Sequence, residues 1–328
     1  MNNYIFGPVP SRRLGRSLGI DLVPYKTCSY DCIYCQLGRT TCKTLERKEW
    51  VPLDLVVDEL EKRLASQPDY ITLSGSGEPT LFSRIDELVD RIKQMTTIPV
   101  AVLTNGSLLG DKDLQRQLSK VDLVIPSLDA GNDALFRLVN RPHESLSFEQ
   151  VLAGLVSFRR RFTGQYWLEV FLVAAHSAFE PELAALHRCV DLIKPDRVQL
   201  NTITRPPAES YAIPISRERL EKIAAEFSPP AETIASFGGG LLPATGGADR
   251  EQILALLRRR PCSVEDIASG LTIAPAEAAK RLESLCAEGL VEPCWTPASL
   301  YYRAVPSPAP SLRHHEPEDR GERDESKQ

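Results

Sequence analysis

The sequence lacks an excess of either charge. It has 39 Lys and Arg against 44 Asp and Glu, a formal net charge of -5 over 328 residues. That balance excludes the uniformly basic surface of a protein that coats nucleic acid. No apolar stretch approaches the roughly 18–20 residues of a membrane span, so no membrane partner is expected. The N-terminus, MNNYIFGPVP, lacks a basic segment followed by an apolar run, which argues against a secretory leader and for a cytoplasmic protein. No cysteine precedes Cys28, and Cys42, Cys189, Cys262, Cys286 and Cys294 form no matching set. In a reducing compartment the eight cysteines read as metal ligands and free thiols, not disulfides. A hydrophobic content of 42% and a charged content of 25% suit a globular chain with one large α/β domain and a small appendage. One segment departs from the average: residues 1–48 hold eight Lys and Arg against three acids, a local +5.

Apolar runs alternate with helical patterns along the chain. Strands are expected at Ser17–Val23, Tyr70–Leu73, Val100–Thr104, Asp122–Ser127, Trp167–Val173 and Arg197–Asn201. Helices are expected at Leu53–Leu64, Ile85–Met95, Phe148–Phe162, Pro181–Ile193 and Arg217–Phe227. Six β–α units imply an α/β fold with a parallel sheet, a partial (β/α)6 TIM-type barrel over residues 1–234. Two further units would be needed for a full barrel, and none is visible. Residues 235–248 read as a Gly-rich linker. Residues 249–304 read as a small winged-helix-like domain: a helix at Glu251–Arg259, one at Val264–Ser269 capped by Ser263 with Asp266, one at Ala276–Gly289, and a hairpin at Leu290–Arg303. Residues 305–328, rich in Pro, Ser and charge, read as a disordered tail.

The run CSYDCIYC spaces Cys28, Cys32 and Cys35 as C-x-x-x-C-x-x-C. Three thiolates can hold three irons of a [4Fe-4S] cluster and leave the fourth open for chemistry, whereas electron-transfer clusters close every position. The alternative is a buried or zinc-binding set with Cys42 as a fourth ligand. Lys26, two residues before Cys28, is a catalytic candidate: its amine can form a Schiff base with a carbonyl or simply add positive field. Gly75, Gly77, Glu78 and Pro79 follow a predicted strand, where glycines admit close backbone approach to a ligand; a plain βα turn is the other reading. Asn105 ends the next strand as a turn residue or a cofactor contact. Ser127 and Asp129 can bind the ribose hydroxyls of a nucleoside or cap a turn. Glu169 and Asn201 line a cavity or satisfy buried backbone. Arg12, Arg13 and Arg16 suit phosphate or carboxylate, or form a solvated loop, and His143 reads as a surface or capping residue.

The cysteine run resembles the cluster loop of the radical S-adenosylmethionine (SAM) superfamily. The phrases GPVPSRRLGRSLGIDLVPYKTCSYDCIYCQLG, SGSGEPTL, SLDAG with NRP, and VQLNTITRPPAES resemble its wyosine-synthetase-like branch, related to 4-demethylwyosine synthase, over about Gly7 to Phe227. That synthase holds a second cluster on cysteines before the triplet, and this chain has none there. The resemblance implies two cofactors, a [4Fe-4S] cluster on Cys28, Cys32 and Cys35 and SAM. It implies that Tyr34 lies against the adenine and that the glycine run, with Glu78, accepts from the methionine ammonium. It implies a flavodoxin or ferredoxin reductant, reductive cleavage of SAM, and a 5′-deoxyadenosyl radical that takes hydrogen from a substrate.

Three functions fit. The first is a radical SAM enzyme acting on a tRNA base, with the basic N-terminal segment and winged-helix-like domain as support. The second is a radical SAM enzyme on a protein or small metabolite, with that domain as a docking module. Its helix at Ala276–Gly289 offers only Lys280 and Arg281 against Glu277, Glu283 and Glu288, few bases for phosphates, which Arg258 to Arg260 partly offset. The third is a non-enzymatic iron–sulfur regulator that binds DNA.

Overall fold

A computed structural model describes residues 4–11, 13–235, 250–271, 273–296 and 299–305. Arg12, nearly all of the expected linker and the expected tail beyond residue 305 lie outside the described residues.

The chain begins with an antiparallel pair, β1 (Ile5–Ser11) and β2 (Gly15–Ile20), and a two-residue ladder, β3 (Thr27–Cys28) with β4 (Cys42–Lys43). Then α1 (Leu53–Arg63) leads to β5 (Tyr70–Leu73), α2 (Ile85–Met95) to β6 (Val100–Thr104), and α3 (Lys112–Leu118) to β7 (Leu123–Pro126). Next, α4 (Asp133–Val139) and α5 (Phe148–Arg161) lead to β8 (Gln165–Leu172), α6 (Glu180–Ile193) to β9 (Arg197–Thr202), and α7 (Arg217–Glu226) to β10 (Glu232–Thr233). The sheet order is β1-β2-β5-β6-β7-β8-β9-β10. All neighbours from β2 onward are parallel, with registers such as Leu18↔Ile71, Val102↔Val124 and Leu168↔Val198. Among the described residues β1 and β10 pair on one side only, so the sheet is open.

Alternation builds the two faces. Val100, Val102, Val124 and Leu168 point into the large core shared with the helices. Their neighbours Ala101, Leu123, Ile125 and Trp167 join Leu14 in a separate cluster on the other face. Arg197 lies over the Trp167 ring at 4.7 Å. This plug occupies the early parts of the strands and leaves their carboxyl ends for the site. The helices dock by apolar stripes: Leu53, Val56, Val57 and Leu60 on α1, and Ile85, Leu88, Val89 and Ile92 on α2, recur at i, i+3, i+4 and i+7. A capping box of Ser147 and Gln150 starts α5.

Six elements go beyond the sequence expectation, among them the two-residue strands β3 and β4. β1 contains Pro8, Pro10 and Gly7, a composition that reads as loop, and it survives because an edge strand tolerates missing N–H donors. β10 is two residues long, and α3 and α4 are seven each, too short for a clear period.

After the linker come α8 (Arg250–Leu257), α9 (Val264–Leu271), α10 (Pro275–Ala287) and the antiparallel pair β11 (Val291–Trp295) and β12 (Leu300–Ala304). They share their own core, including Ile253, Leu257, Ile267, Leu282 and Val291. Ser263 and Asp266 bond each other's backbone N–H at the start of α9, at 3.1 and 3.2 Å. Gly289, at φ +69°, follows the end of α10. This unit docks on the barrel: Val9 packs against its core, and Tyr301 Oη donates to the Thr204 carbonyl at 2.6 Å.

Candidate active site

The loop after β2 carries Cys28, Cys32 and Cys35, all half-buried. Its ends meet in the β3–β4 ladder. Within it, Cys35 N–H donates to Cys32 O at 3.2 Å and Gly38 N–H to Cys35 O at 3.1 Å. Asp31 in the loop accepts from Thr40 N–H at 2.7 Å and Arg39 at 3.0 Å, and from outside it Glu209 accepts from Arg39 at 2.7 Å and Arg141 at 2.6 Å. Each thiol has a nitrogen donor of its own. Asn105 Nδ2 lies 3.5 Å from Cys28 Sγ, Asn140 Nδ2 lies 3.5 Å from Cys32 Sγ, and the Lys26 ammonium bonds Cys35.

Burial, with Glu78 adding to it, pushes the Cys28 thiol up to about 12, and burial takes Cys32 well above the usual range. Metal-free, these are thiols; loading iron releases their protons. Burial opposes the charge on Lys26, but Cys35 and the other two sulfurs outweigh it and raise its pKa. Cys42 is exposed. Among the described residues no three His, Cys, Asp or Glu side chains converge as they do on a single metal ion. A four-iron cluster makes a different demand, one thiolate per iron, and three half-buried thiols with N–H donors fit it.

The glycine run after β5 abuts this loop. A Cβ on Gly77 would overlap the Thr27 carbonyl, and one on Gly75, at φ +126°, would overlap Asp21 Oδ1. Ser76 N–H donates to that Asp21 oxygen at 2.5 Å. Glu78 is buried, and its carboxylate is spent on the chain: it accepts from Thr80 N–H and Oγ1 at 3.1 and 2.6 Å, Thr104 Oγ1 at 2.6 Å and Asn105 N–H at 2.7 Å. Burial raises its pKa against those donors. Pro79 is buried in the turn that follows. Asn105 Nδ2 also reaches Ser29 Oγ at 2.8 Å, and its Oδ1 accepts from Ser107 N–H at 2.9 Å.

Asp129 is equally committed. It accepts from Tyr34 Oη, from Asn140 Nδ2 at 2.7 Å and from Phe171 N–H at 3.1 Å. Burial raises it to about 6. Tyr34 stacks on Phe171, centroids 3.9 Å apart.

A cavity of about 420 Å³ opens at the carboxyl ends of the strands. Tyr34, Cys35, Gly75, Gly77 and Ser127 line it, as do Glu169 and Asn201. Asn201 Nδ2 donates to Glu169 at 2.7 Å, and Arg13 pairs with Glu169 at 2.8 Å. Lys26, Cys28, Cys32, Glu78, Pro79, Asn105 and Asp129 are not among the lining residues. Lys26 is buried with its ammonium on Gly38 O at 2.7 Å, a place for a field and not for a covalent bond with a molecule in the cavity. Arg16 is exposed and bonds the backbone at Ser66, and His143 accepts from Ser145 N–H in a turn.

Sequence reasoning gave no role at this site to Asp21, Asn140, Arg205, Arg259 or Arg260. Asp21, Asn140 and Arg205 fall within GPVPSRRLGRSLGIDLVPYKTCSYDCIYCQLG, NRP and VQLNTITRPPAES, so those phrases pointed at them without giving a role. Arg259 and Arg260 meet the site only through tertiary contacts.

The family model described as the radical SAM superfamily matches residues 22–174. A UPF0026 protein of Helicobacter pylori (strain J99) is 33% identical over 288 residues, 86% of this chain and 91% of that protein. A Brachyspira hyodysenteriae protein named GTPase Obg is 40% identical over 292 residues, 88% of this chain, and the chain spans 43% of its length. Among solved structures, a radical SAM methyltransferase from Sphaerobacter thermophilus aligns at a TM-score of 0.51 and 17% identity, over 68% of this chain and 67% of that one, a likeness of fold.

Proposed function

The chain belongs to the radical SAM superfamily, and within it to the UPF0026 proteins, and on that premise we propose that Cys28, Cys32 and Cys35 hold its [4Fe-4S] cluster and that the cavity beside them takes SAM. Bound there, the two cofactors supply reductive cleavage of SAM and a 5′-deoxyadenosyl radical for hydrogen abstraction. The observation that carries the reading is the place of Cys35, which alone of the three cysteines borders the cavity. Tyr34 and Phe171 give that cavity an aromatic wall, Gly75 and Gly77 give it bare backbone, and Ser127 gives it a hydroxyl. Glu78, Pro79, Asn105 and Asp129 act behind the wall by fixing the loops, and Lys26 acts by its charge beside Cys35.

The electron comes from a flavodoxin or ferredoxin in this reading, and the protein works in the cytoplasm. No helix among the described residues is long and apolar enough to cross a membrane. A tRNA base is the first candidate substrate, supported by the wyosine-synthetase-like phrases, the basic N-terminal segment and the helix–helix–helix–hairpin order of a winged helix at the C-terminus. One observation favours a protein or small metabolite instead: on α10, Arg281 is tied to Glu277 at 2.6 Å, and Glu288 pairs with Arg250 at 2.5 Å. That leaves Lys280 as a poor grip on phosphates.

The test is anaerobic. The protein is reconstituted with iron and sulfide, given SAM and dithionite, and assayed for 5′-deoxyadenosine by mass spectrometry beside Cys32→Ala. Product that disappears in the variant is expected. A well-formed cluster that yields none, and whose reduced EPR signal ignores SAM, would leave the DNA-binding regulator as the better reading.

A further inference from the structure

The cavity wall is strongly polarised. Its charged side chains are four arginines, Arg13, Arg205, Arg259 and Arg260, and a single acid, Glu169. Three of the arginines have carboxylate partners: Arg13 has Glu169 at 2.8 Å, Arg205 has Asp266 at 3.0 Å, and Arg259 has Asp21 at 2.9 Å. Arg260, half-buried on the same wall, makes no ion pair among the described residues. Arg205 is only 10% exposed, yet its Nε–H is buried without a hydrogen-bond partner. A buried N–H of a charged group without an acceptor is costly, and native structures seldom keep one unless something else supplies the oxygen.

We propose that Arg260 and the Arg205 Nε–H form an oxyanion subsite that receives a phosphate or carboxylate of the substrate, separate from the carboxylate of SAM. A planar guanidinium matches either group through paired N–H donors. The inference rests on the radical SAM reading of the cavity and adds the class of substrate. It also gives the C-terminal unit a task. Arg260 follows α8 and Arg205 follows β9, and the Arg205–Asp266 and Arg259–Asp21 pairs hold the two segments on one wall. The substrate pocket is therefore completed only with that unit docked.

The test uses full-length, cluster-loaded protein saturated with SAM. Inorganic phosphate and acetate are titrated separately, followed by 31P and 13C line broadening, which tells the two anion sources apart. The comparison is with Arg260→Ala, Arg260→Gln and Arg258→Ala, the last a control in which an exposed arginine paired with Glu251 is lost. At least one anion should bind saturably. Both Arg260 variants, with unchanged melting temperatures, should weaken it roughly tenfold or more, and Arg258→Ala should not. No saturable binding, equal binding in the Arg260 variants, or displacement of the anion by SAM would overturn the subsite. 5′-Deoxyadenosine is measured on the wild-type samples. SAM cleavage without anion binding overturns the subsite alone, and Arg260-dependent anion binding without SAM cleavage, in protein whose reduced EPR signal ignores SAM, keeps the subsite and overturns the proposal that this cavity takes SAM.

Discussion

Arg259 Nε lies 2.9 Å from Asp21 Oδ2, joining the C-terminal unit to the end of β2. The pair is 15% and 10% exposed, so water screens it little. The second oxygen of Asp21 accepts from Ser76 N–H, so the same carboxylate holds the glycine run. Arg259 also covers the Phe6 ring at 4.4 Å. Arg259→Met should destabilise the protein by about 3 kcal/mol, because it strands a buried carboxylate. Asp21→Asn combined with Arg259→Met should cost less than the sum of the singles, by about 1–3 kcal/mol in urea unfolding. Strict additivity would mean that the two side chains are neighbours without coupling.

The three loop cysteines should separate cleanly from Cys42. Alanine at Cys28, Cys32 or Cys35 removes one of the three proposed ligands, and iron and sulfide bound after reconstitution should fall to background. Cys42→Ala alters an exposed thiol and should retain wild-type iron and visible absorption. Loss of iron in Cys42→Ala would revive a four-cysteine site.

The strands and the cysteine loop are legible in the sequence for physical reasons. A parallel sheet buried on both faces needs continuous apolar runs such as VAVLT, and these stand out against polar connections. Cluster ligation needs one residue type at fixed local spacing. The other contacts are not local. Glu78 and Asp129 are visible as acids, but only packing shows that their oxygens are filled by Thr104, Asn105, Tyr34 and Asn140. Arg259 lies 238 residues from Asp21, and no period or spacing links positions so far apart.

The nitrogen donors around the sulfurs should set the cluster's reduction potential. A reduced cluster carries more negative charge, which N–H donors and an ammonium stabilise. In reconstituted protein, Asn105→Ala removes the donor to Cys28 and should lower the potential by on the order of 40 mV, the one-electron equivalent of about 1 kcal/mol. Lys26→Met removes a whole charge beside Cys35 and should lower it further. Potentiometric EPR titration measures both shifts. Potentials equal to the wild type would show that these contacts only shape the loop.

Asp129 should leave a signature in the pH dependence of stability. Burial, the largest cause, raises its pKa from 3.8 to about 6; the donors Tyr34, Asn140 and Phe171 N–H oppose the rise, and Glu169 adds to it. In the unfolded chain the carboxyl titrates near 3.8. Between the two values the native state keeps a proton that the unfolded state has lost. The contribution of this group is therefore fully present below about pH 4, declines as pH rises to about 6, and changes little above that. Roughly two pKa units correspond to about 3 kcal/mol, an upper figure for one buried group. Asp129→Asn cannot titrate. Urea unfolding of both proteins in the metal-free state, from pH 4.5 to 7.5, should show the wild type losing stability relative to the variant as pH rises. A difference that stays flat across that range would mean that the three donors, and not burial, govern Asp129.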